Sequence, residues 1–323
     1  MPLLGFLRRH REPAPPPASL ASPAGSALPG SRGLRVNAGD IRGAPPRGRR
    51  TFFESCSNPW CRSGWMQLLR GRTSPVFEGG WSCSPSCTGA RMAAAVRRAL
   101  EGRSWERDRH RHRIPLGLVM LEQGWISPEA LRAALNAQRE AGSGPLGWWL
   151  VRQQAVSEQT VARALGLQWS CPVLAADPVE SAGLASVVPR LFVDAFGALP
   201  LRLAAGRLLY LGFEERPDPV LALAVGEMSG LEVESGIVPA SQFRPAQARM
   251  LEAAYPEVKL IEAATPEAAA RALAQAVERV QPEASRLVRV HECLWLRLWR
   301  RLPAPPLPAA SEVEDVICSF GAG

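Results

Sequence analysis

A chain of 323 residues, 46% of them hydrophobic, is long enough for one or two ordinary cores with residues left over for tails. Its net charge of +8 conceals an asymmetry: residues 1–113 hold 20 arginines against seven acids, a net +13, whereas the remainder carries 18 basic and 23 acidic residues, a net −5. No run approaches the roughly 20 apolar residues of a membrane helix, and the apolar stretch 2–7 is too short for a signal sequence and precedes its arginines. The expectation is a cytoplasmic chain, in which seven cysteines favour metal ligation or free thiols over disulfides.

Residues 1–50 carry Pro15-Pro16-Pro17, Pro45-Pro46 and many glycines, serines and arginines, without hydrophobic periodicity. Such a stretch buries too little surface to offset chain entropy, which predicts a disordered Arg/Pro-rich arm. Its charge attracts anionic partners, so nucleic acid stands as a secondary partner, held weakly and without sequence preference.

Residues 51–104 form a cysteine module. Cys56 and Cys61 make a C-x4-C pair and, after 21 intervening residues, Cys83 and Cys87 make a C-x3-C pair. Zinc takes four soft ligands in a tetrahedron, and two local pairs brought together by a hairpin supply them at small entropic cost. That hairpin is predicted from residues 64–69, a turn-rich 70–75 and a strand 76–78. A helix over 90–100 follows, with Met92, Val96 and Leu100 on one face. Pair, hairpin and second pair at a helix start is the order of a treble-clef zinc finger, and residues 81–87 resemble the second knuckle of many such fingers. The alternative is four reduced thiols beside a cluster of Trp60, Trp65 and Trp81, but so small a segment needs a staple to fold. Four protein thiolates leave no position for water, so the zinc would be structural. Cys171, Cys293 and Cys318 lie singly in apolar settings and read as buried or idle thiols. The nearby Arg62, Arg70, Arg72, Arg91, Arg97 and Arg98, interleaved with tryptophans, suit phosphate contact and base stacking. Treble clefs serve as protein-contact modules too, and protein contact is the preferred reading.

Residues 107–113, with His110 and His112 in an arginine run, read as a solvated linker. Beyond them the sequence repeats with a period of 30. Leu116-Gly117 matches Leu146-Gly147, Ile126-Ser127 matches Val156-Ser157, and Leu131, Ala134, Leu135 and Gln138 match Val161, Ala164, Leu165 and Gln168. Each unit predicts a short helix, a turn, a Ser cap and a second helix with apolar residues at i, i+3 and i+4. Pro128 at the first helical position reinforces one cap. Neither hairpin covers its own apolar stripe, so the two pack into a small four-helix unit. Strands at 198–203, 208–213 and 231–237 follow, with a turn at Ala205-Gly206 and helices at 220–228 and 245–255, an α/β sandwich-like subdomain.

These residues together resemble the N-terminal domain of type II secretion and type IV pilus assembly ATPases, over about 140 residues, 114–255. The resemblance implies docking onto a protein component of the secretion or pilus machine. In some members it also implies cyclic di-GMP binding through two repeats that each begin Arg-Leu-Gly. Here Pro115 and Pro145 stand where those arginines fall, and Gln154 stands where the second copy would repeat Gly124. Proline offers neither a cation nor a donor, so cyclic di-GMP binding is not expected.

Residues 256–300 predict a strand-helix-strand unit: strand 258–261, helix 266–280 capped by Thr265, strand 287–296. His291 is assigned to an alternating face of that last strand. Residues 301–323 read as a Pro-rich tail with a short acidic-apolar segment at 312–320. A P-loop requires a lysine, and the only one is Lys259 in Val258-Lys259-Leu260, so the family's ATPase motif is missing from these residues. No paired-carboxylate or nucleophile motif stands out. The sequence thus predicts an α+β modular protein with no catalytic residues, acting as an adaptor or regulator through protein contacts in or near a secretion or pilus-like system. The alternatives are a nucleic-acid-binding regulator using the basic zinc module and a cyclic di-GMP receptor with a degenerate site.

Overall fold

The computed structural model describes residues 56–62, 75–101, 113–302 and 307–320. The basic arm expected at 1–50, the strand expected at 64–69, His110, His112 and the proline run 303–306 lie outside the described residues. Among the described residues the fold is mixed α+β, with ten α-helices and three small sheets.

The period of 30 becomes four helices: α2 (Leu116–Glu122), α3 (Pro128–Ala141), α4 (Leu146–Arg152) and α5 (Glu158–Trp169). The expected caps are present, Ser127 Oγ accepting from the Ala130 amide and Ser157 Oγ from Thr160, each at 3.2 Å. The two copies are related by a pseudo-twofold exchange of contacts. Gln138 Nε2 donates to the Gly144 carbonyl at 2.7 Å, and its counterpart Gln168 donates to the Ile114 carbonyl at 2.8 Å, so each glutamine fastens the entry to the other copy. The Leu-Gly pairs have a steric reason. A Cβ on Gly117 would lie 2.8 Å from Leu131, and one on Gly147 only 2.6 Å from Val161. Val119, Met120, Ile126, Ala134, Leu150 and Ala164 fill the small core between them.

Next come α6 (Pro178–Ala182) and α7 (Arg190–Phe196), then β3 (Leu199–Ala204), β4 (Leu208–Phe213), α8 (Pro219–Ser229), β5 (Glu232–Ile237) and α9 (Ala240–Leu251). Strands β3 and β4 form a hairpin over Ala205-Gly206, both at positive φ, and β5 joins β4 in parallel through the α8 crossover. Helix α9 begins five residues earlier than the sequence predicts, because Pro245 sits inside it rather than at its start.

The C-terminal region departs furthest from expectation. The unit expected at 256–300 contains β6 (Glu257–Ala263), α10 (Pro266–Val280), β7 (Ala284–Val290) and β8 (Cys293–Trp299). The single strand expected at 287–296 is a hairpin. His291, at φ 50°, sits in its turn rather than on a strand face. The supposed tail supplies β9 (Val313–Phe320), which lies inside a four-stranded sheet of order β6-β9-β8-β7. Strand β9 runs parallel to β6 and antiparallel to β8, and Val313 to Cys318 are buried. Its acids look solvated in the sequence but are neutralised inside. Asp315 faces Arg297 directly across the ladder and takes two guanidinium hydrogen bonds at 2.7 Å and a third from Trp295 Nε1 at 2.7 Å. Glu314, on the opposite face, meets Arg279, Arg300 and Lys259. These pairings offset the desolvation cost that would otherwise keep such a strand in water.

This sheet is covered on both sides, which is why all seven residues of β8 are buried. One face, with Leu294, Leu296, Leu298, Val316 and Cys318, packs under α10 and α1 (Pro85–Glu101). The other, with Val288, Trp295 and Ile317, packs against the β3–β5 subdomain. The cysteine module is thereby joined to the C-terminal sheet rather than free. Phe77, Met92, Ala95 and Val96 share a core with Leu273 and Val277.

Candidate metal centre

The four cysteines arrive on two short loops. The first is a turn in which the Cys61 amide donates to the Asn58 carbonyl at 3.0 Å, while Asn58 Oδ1 accepts from the Trp60 amide at 3.1 Å. The second follows a minimal hairpin of β1 (Val76–Phe77) and β2 (Gly80–Trp81). Its turn residues Glu78 and Gly79 both have positive φ, as a two-residue hairpin loop with the primed twist requires. This hairpin follows the one the sequence predicts, whose turn at 70–75 lies almost wholly outside the described residues. Ser57 donates its amide to the Trp81 carbonyl at 2.9 Å, bringing the first loop against β2. A Cβ on Gly80 would lie 2.4 Å from Ser57 Oγ, so this approach needs the glycine.

Behind the hairpin, Arg91 of α1 donates to the carbonyls of Gly80 at 2.6 Å and Phe77 at 2.5 Å. Ser84 Oγ accepts from the Cys87 amide at 3.3 Å, the bond of a helix N-cap, which fixes Cys87 in the first turn with Cys83 just before it. The helix starts five residues earlier than its apolar stripe predicts because the second cysteine pair forms its entry.

These constraints bring the sulfurs of Cys56, Cys61, Cys83 and Cys87 within 4.8 Å of one another, all four residues predicted as ligands. Cys61 Sγ lies 3.4 Å from Cys83 Sγ, which is 3.7 Å from Cys87 Sγ. Such separations are far beyond a disulfide bond of about 2.05 Å and close to the edge of a tetrahedron with metal–sulfur distances of about 2.3 Å. The surrounding donors suit thiolates: the Cys83 amide points at Cys56 Sγ at 3.4 Å, and Asn58 Nδ2 at Cys87 Sγ at 3.3 Å. Burial pushes the Cys56 thiol up to about 12, against the pull of the Asn58 and Cys83 amides. Without a cation Cys56 favours its protonated form; a bound cation favours the thiolate. The four cysteines can therefore hold a metal ion, with every donor supplied by the protein.

The other residues singled out by sequence have different fates. Cys171, Cys293 and Cys318 stand apart from the cluster, each pushed up to about 11 by burial. Pro115 and Pro145 precede α2 and α4 and make no side-chain capping bond. Arg113 stacks over the Trp169 ring at 3.7 Å and donates to the Gln168 carbonyl at 3.0 Å, bracing the repeat. The sequence reading missed the Asp218–His291 pair. Asp218 caps α8 through the amides of Val220 and Leu221, and its other oxygen lies 2.6 Å from His291 Nε2, joining the middle subdomain to the β7–β8 turn. Burial alone would raise the Asp218 carboxyl, but the hydrogen bond and charge of His291, with those amides, bring it below its ordinary value.

No family model and no curated protein matches the chain. Among solved structures, one described as "Structure of MshE with cdg" is 25% identical, covers 43% of this chain and 99% of that chain, and superposes with a TM-score of 0.35. Among the described residues no helix is long and apolar enough to cross a membrane.

Proposed function

We propose that the chain is a non-catalytic adaptor or regulator that works by protein contact in or near a type II secretion or type IV pilus-like system, with a structural zinc ion on its four cysteines. The observation that carries this reading is the state of the tandem repeat. Its internal framework is complete, with both glutamine ties and both Leu-Gly contacts satisfied, while the positions that would contact a dinucleotide are prolines held against helix starts. An intact scaffold with proline at both of those positions suits docking. Where α2 meets the end of α5, Ile114, Leu118 and Leu167 are each more than half exposed, beside the Arg113–Trp169 stack. Adjacent exposed aliphatics of this kind form the apolar centre of a contact surface. The zinc reading is supported by the all-sulfur donor set and its enclosure, which leave no open coordination position.

The test is capture from cells in which secretion or pilus components are tagged. A tagged component should co-purify with the native chain and be lost with Leu118→Asp, whose unchanged circular dichroism would show the fold intact. Recovery of the same component with the variant would contradict the docking surface. In parallel, calorimetry with cyclic di-GMP should show no binding tighter than about 100 μM, about −5.5 kcal/mol. Sub-micromolar binding would replace the adaptor reading with a receptor.

A further inference from the structure

Trp60 is the most exposed large hydrophobic residue of the described chain, at 85%. It does not stand on a floppy side branch: its amide is held by Asn58, whose own amide group is tied to Cys87. The indole is thus presented outward by the metal-binding loop. Beside it lies a groove of about 320 Å³ between that loop and α1, lined by Ser57, Asn58, Pro59 and Trp60 on one side and by Ala90, Ala93, Ala94 and Arg97 of α1 on the other, with Arg91 at its base.

The helix positions 90, 93, 94 and 97 fall on one face. Three are alanines, which leave a shallow floor against which a flat group can lie, and the fourth is an exposed arginine at the rim. The two arginines differ in role. Arg91 is held by the carbonyls of Phe77 and Gly80, which fix its guanidinium against the hairpin. Arg97 is exposed and remains available at the edge. No acidic residue is among those lining the groove. In the chain this site lies between the Arg-rich residues 1–50 and 103–113, in the part of the sequence that carries a net +13.

We propose that this groove is a binding site for single-stranded nucleic acid, with one base stacked on Trp60 and an adjacent phosphate on Arg97. A duplex hides its base faces, and electrostatics alone gives no use for an outward indole; an unpaired strand uses both the ring and the charge. Arg62, exposed and two residues past Trp60, extends the track. The site shares no residue with the apolar surface of the repeat.

The experiment uses the full chain, a labelled mixed-sequence single-stranded oligonucleotide, the matching duplex, and vesicles containing phosphatidylserine. The native protein should bind the single strand more tightly than the duplex and quench its tryptophan fluorescence on binding. Trp60→Ala should weaken single-strand binding about tenfold or more, while Trp60→Phe retains most of it. Arg97→Gln should weaken binding and lower the salt slope by about one. Metal content and circular dichroism should be unchanged in all three variants, since both side chains are at the surface. Equal affinity of Trp60→Ala and native protein would overturn the proposal, as would equal binding of strand and duplex. Binding to vesicles without binding to the oligonucleotide would also overturn it, and would assign the indole to an anionic membrane surface instead.

Discussion

The tandem repeat closes its core from within one stretch of chain: among the described residues its farthest internal tie, Arg113 to Gln168, spans 55 residues. The C-terminal sheet draws on three stretches, and Ser285 Oγ reaches back 209 residues to the Val76 carbonyl to fasten the metal hairpin to β7. The repeat holds itself with apolar side chains and two glutamine ties; the sheet holds two acids of β9 at zero exposure, each matched to arginine. Local packing of small helices confines a change to the repeat, whereas a sheet assembled from distant pieces around buried charge spreads it across those pieces. The cysteine module belongs to the second kind of region, although its ligand spacing looks self-contained.

The largest test of this contrast removes β9. A chain ending at Pro308 should lose hydrogen-exchange protection across β6, β7, β8 and α10, while α2 to α5 stay protected. Persistence of the sheet without its inner strand would break the comparison. Next, Asp315→Ala leaves Arg297 buried without its carboxylate and should cost about 3–5 kcal/mol in chemical denaturation. Replacing both partners with apolar residues should restore much of that loss.

A smaller effect belongs to the repeat. Gly147→Ala forces a Cβ against Val161 and should cost about 1–3 kcal/mol, with the extra exchange confined to α2–α5. Smallest is Asp218→Asn, which keeps a capping side chain but loses the charged contact with His291, about 1 kcal/mol. Because the Asp218 carboxyl titrates below its ordinary value when folded, its contribution is present above about pH 4 and lost as pH falls through the lower folded value. The stability gap between the native protein and the Asp218→Asn variant should therefore close on acidification; a gap that widens would contradict the assignment.

What is legible in the sequence follows the same division. The repeat can be read almost residue by residue, because its period, Ser caps and Leu-Gly pairs are local signals. The cysteine pairs are legible because ligand chemistry fixes their spacing. The short β1–β2 hairpin is not, because its two-residue strands are too brief for an alternation signal and its primed turn rests on Glu78-Gly79 alone. Strand β9 reads as a tail because Glu314 and Asp315 look solvated, and their partners lie on β6, β8 and α10 or just past β8. Two signals point to it. Arg297 stands in the middle of the apolar run of β8 and needs a buried carboxylate, and residues 313–320 alternate between faces around that carboxylate. The hairpin in 284–299 is hidden because β7 breaks its apolar pattern with Ser285, Arg286 and Arg289 and β8 is buried on both faces, leaving only His291-Glu292 as a break.

A metal on Cys56, Cys61, Cys83 and Cys87 would tie the loop 56–62 to the start of α1 and so steady the hairpin that Val76 and Ser285 fasten to β7. The most direct measurement combines elemental analysis with hydrogen exchange on the native chain and on Cys83→Ser/Cys87→Ser. About one zinc ion per native chain and none in the variant is expected. In the variant, exchange should increase in β1, β2, α1 and the neighbouring β7, with α2–α5 unchanged. Native protein free of metal, with hairpin and β7 protected to the same degree as in the variant, would contradict it.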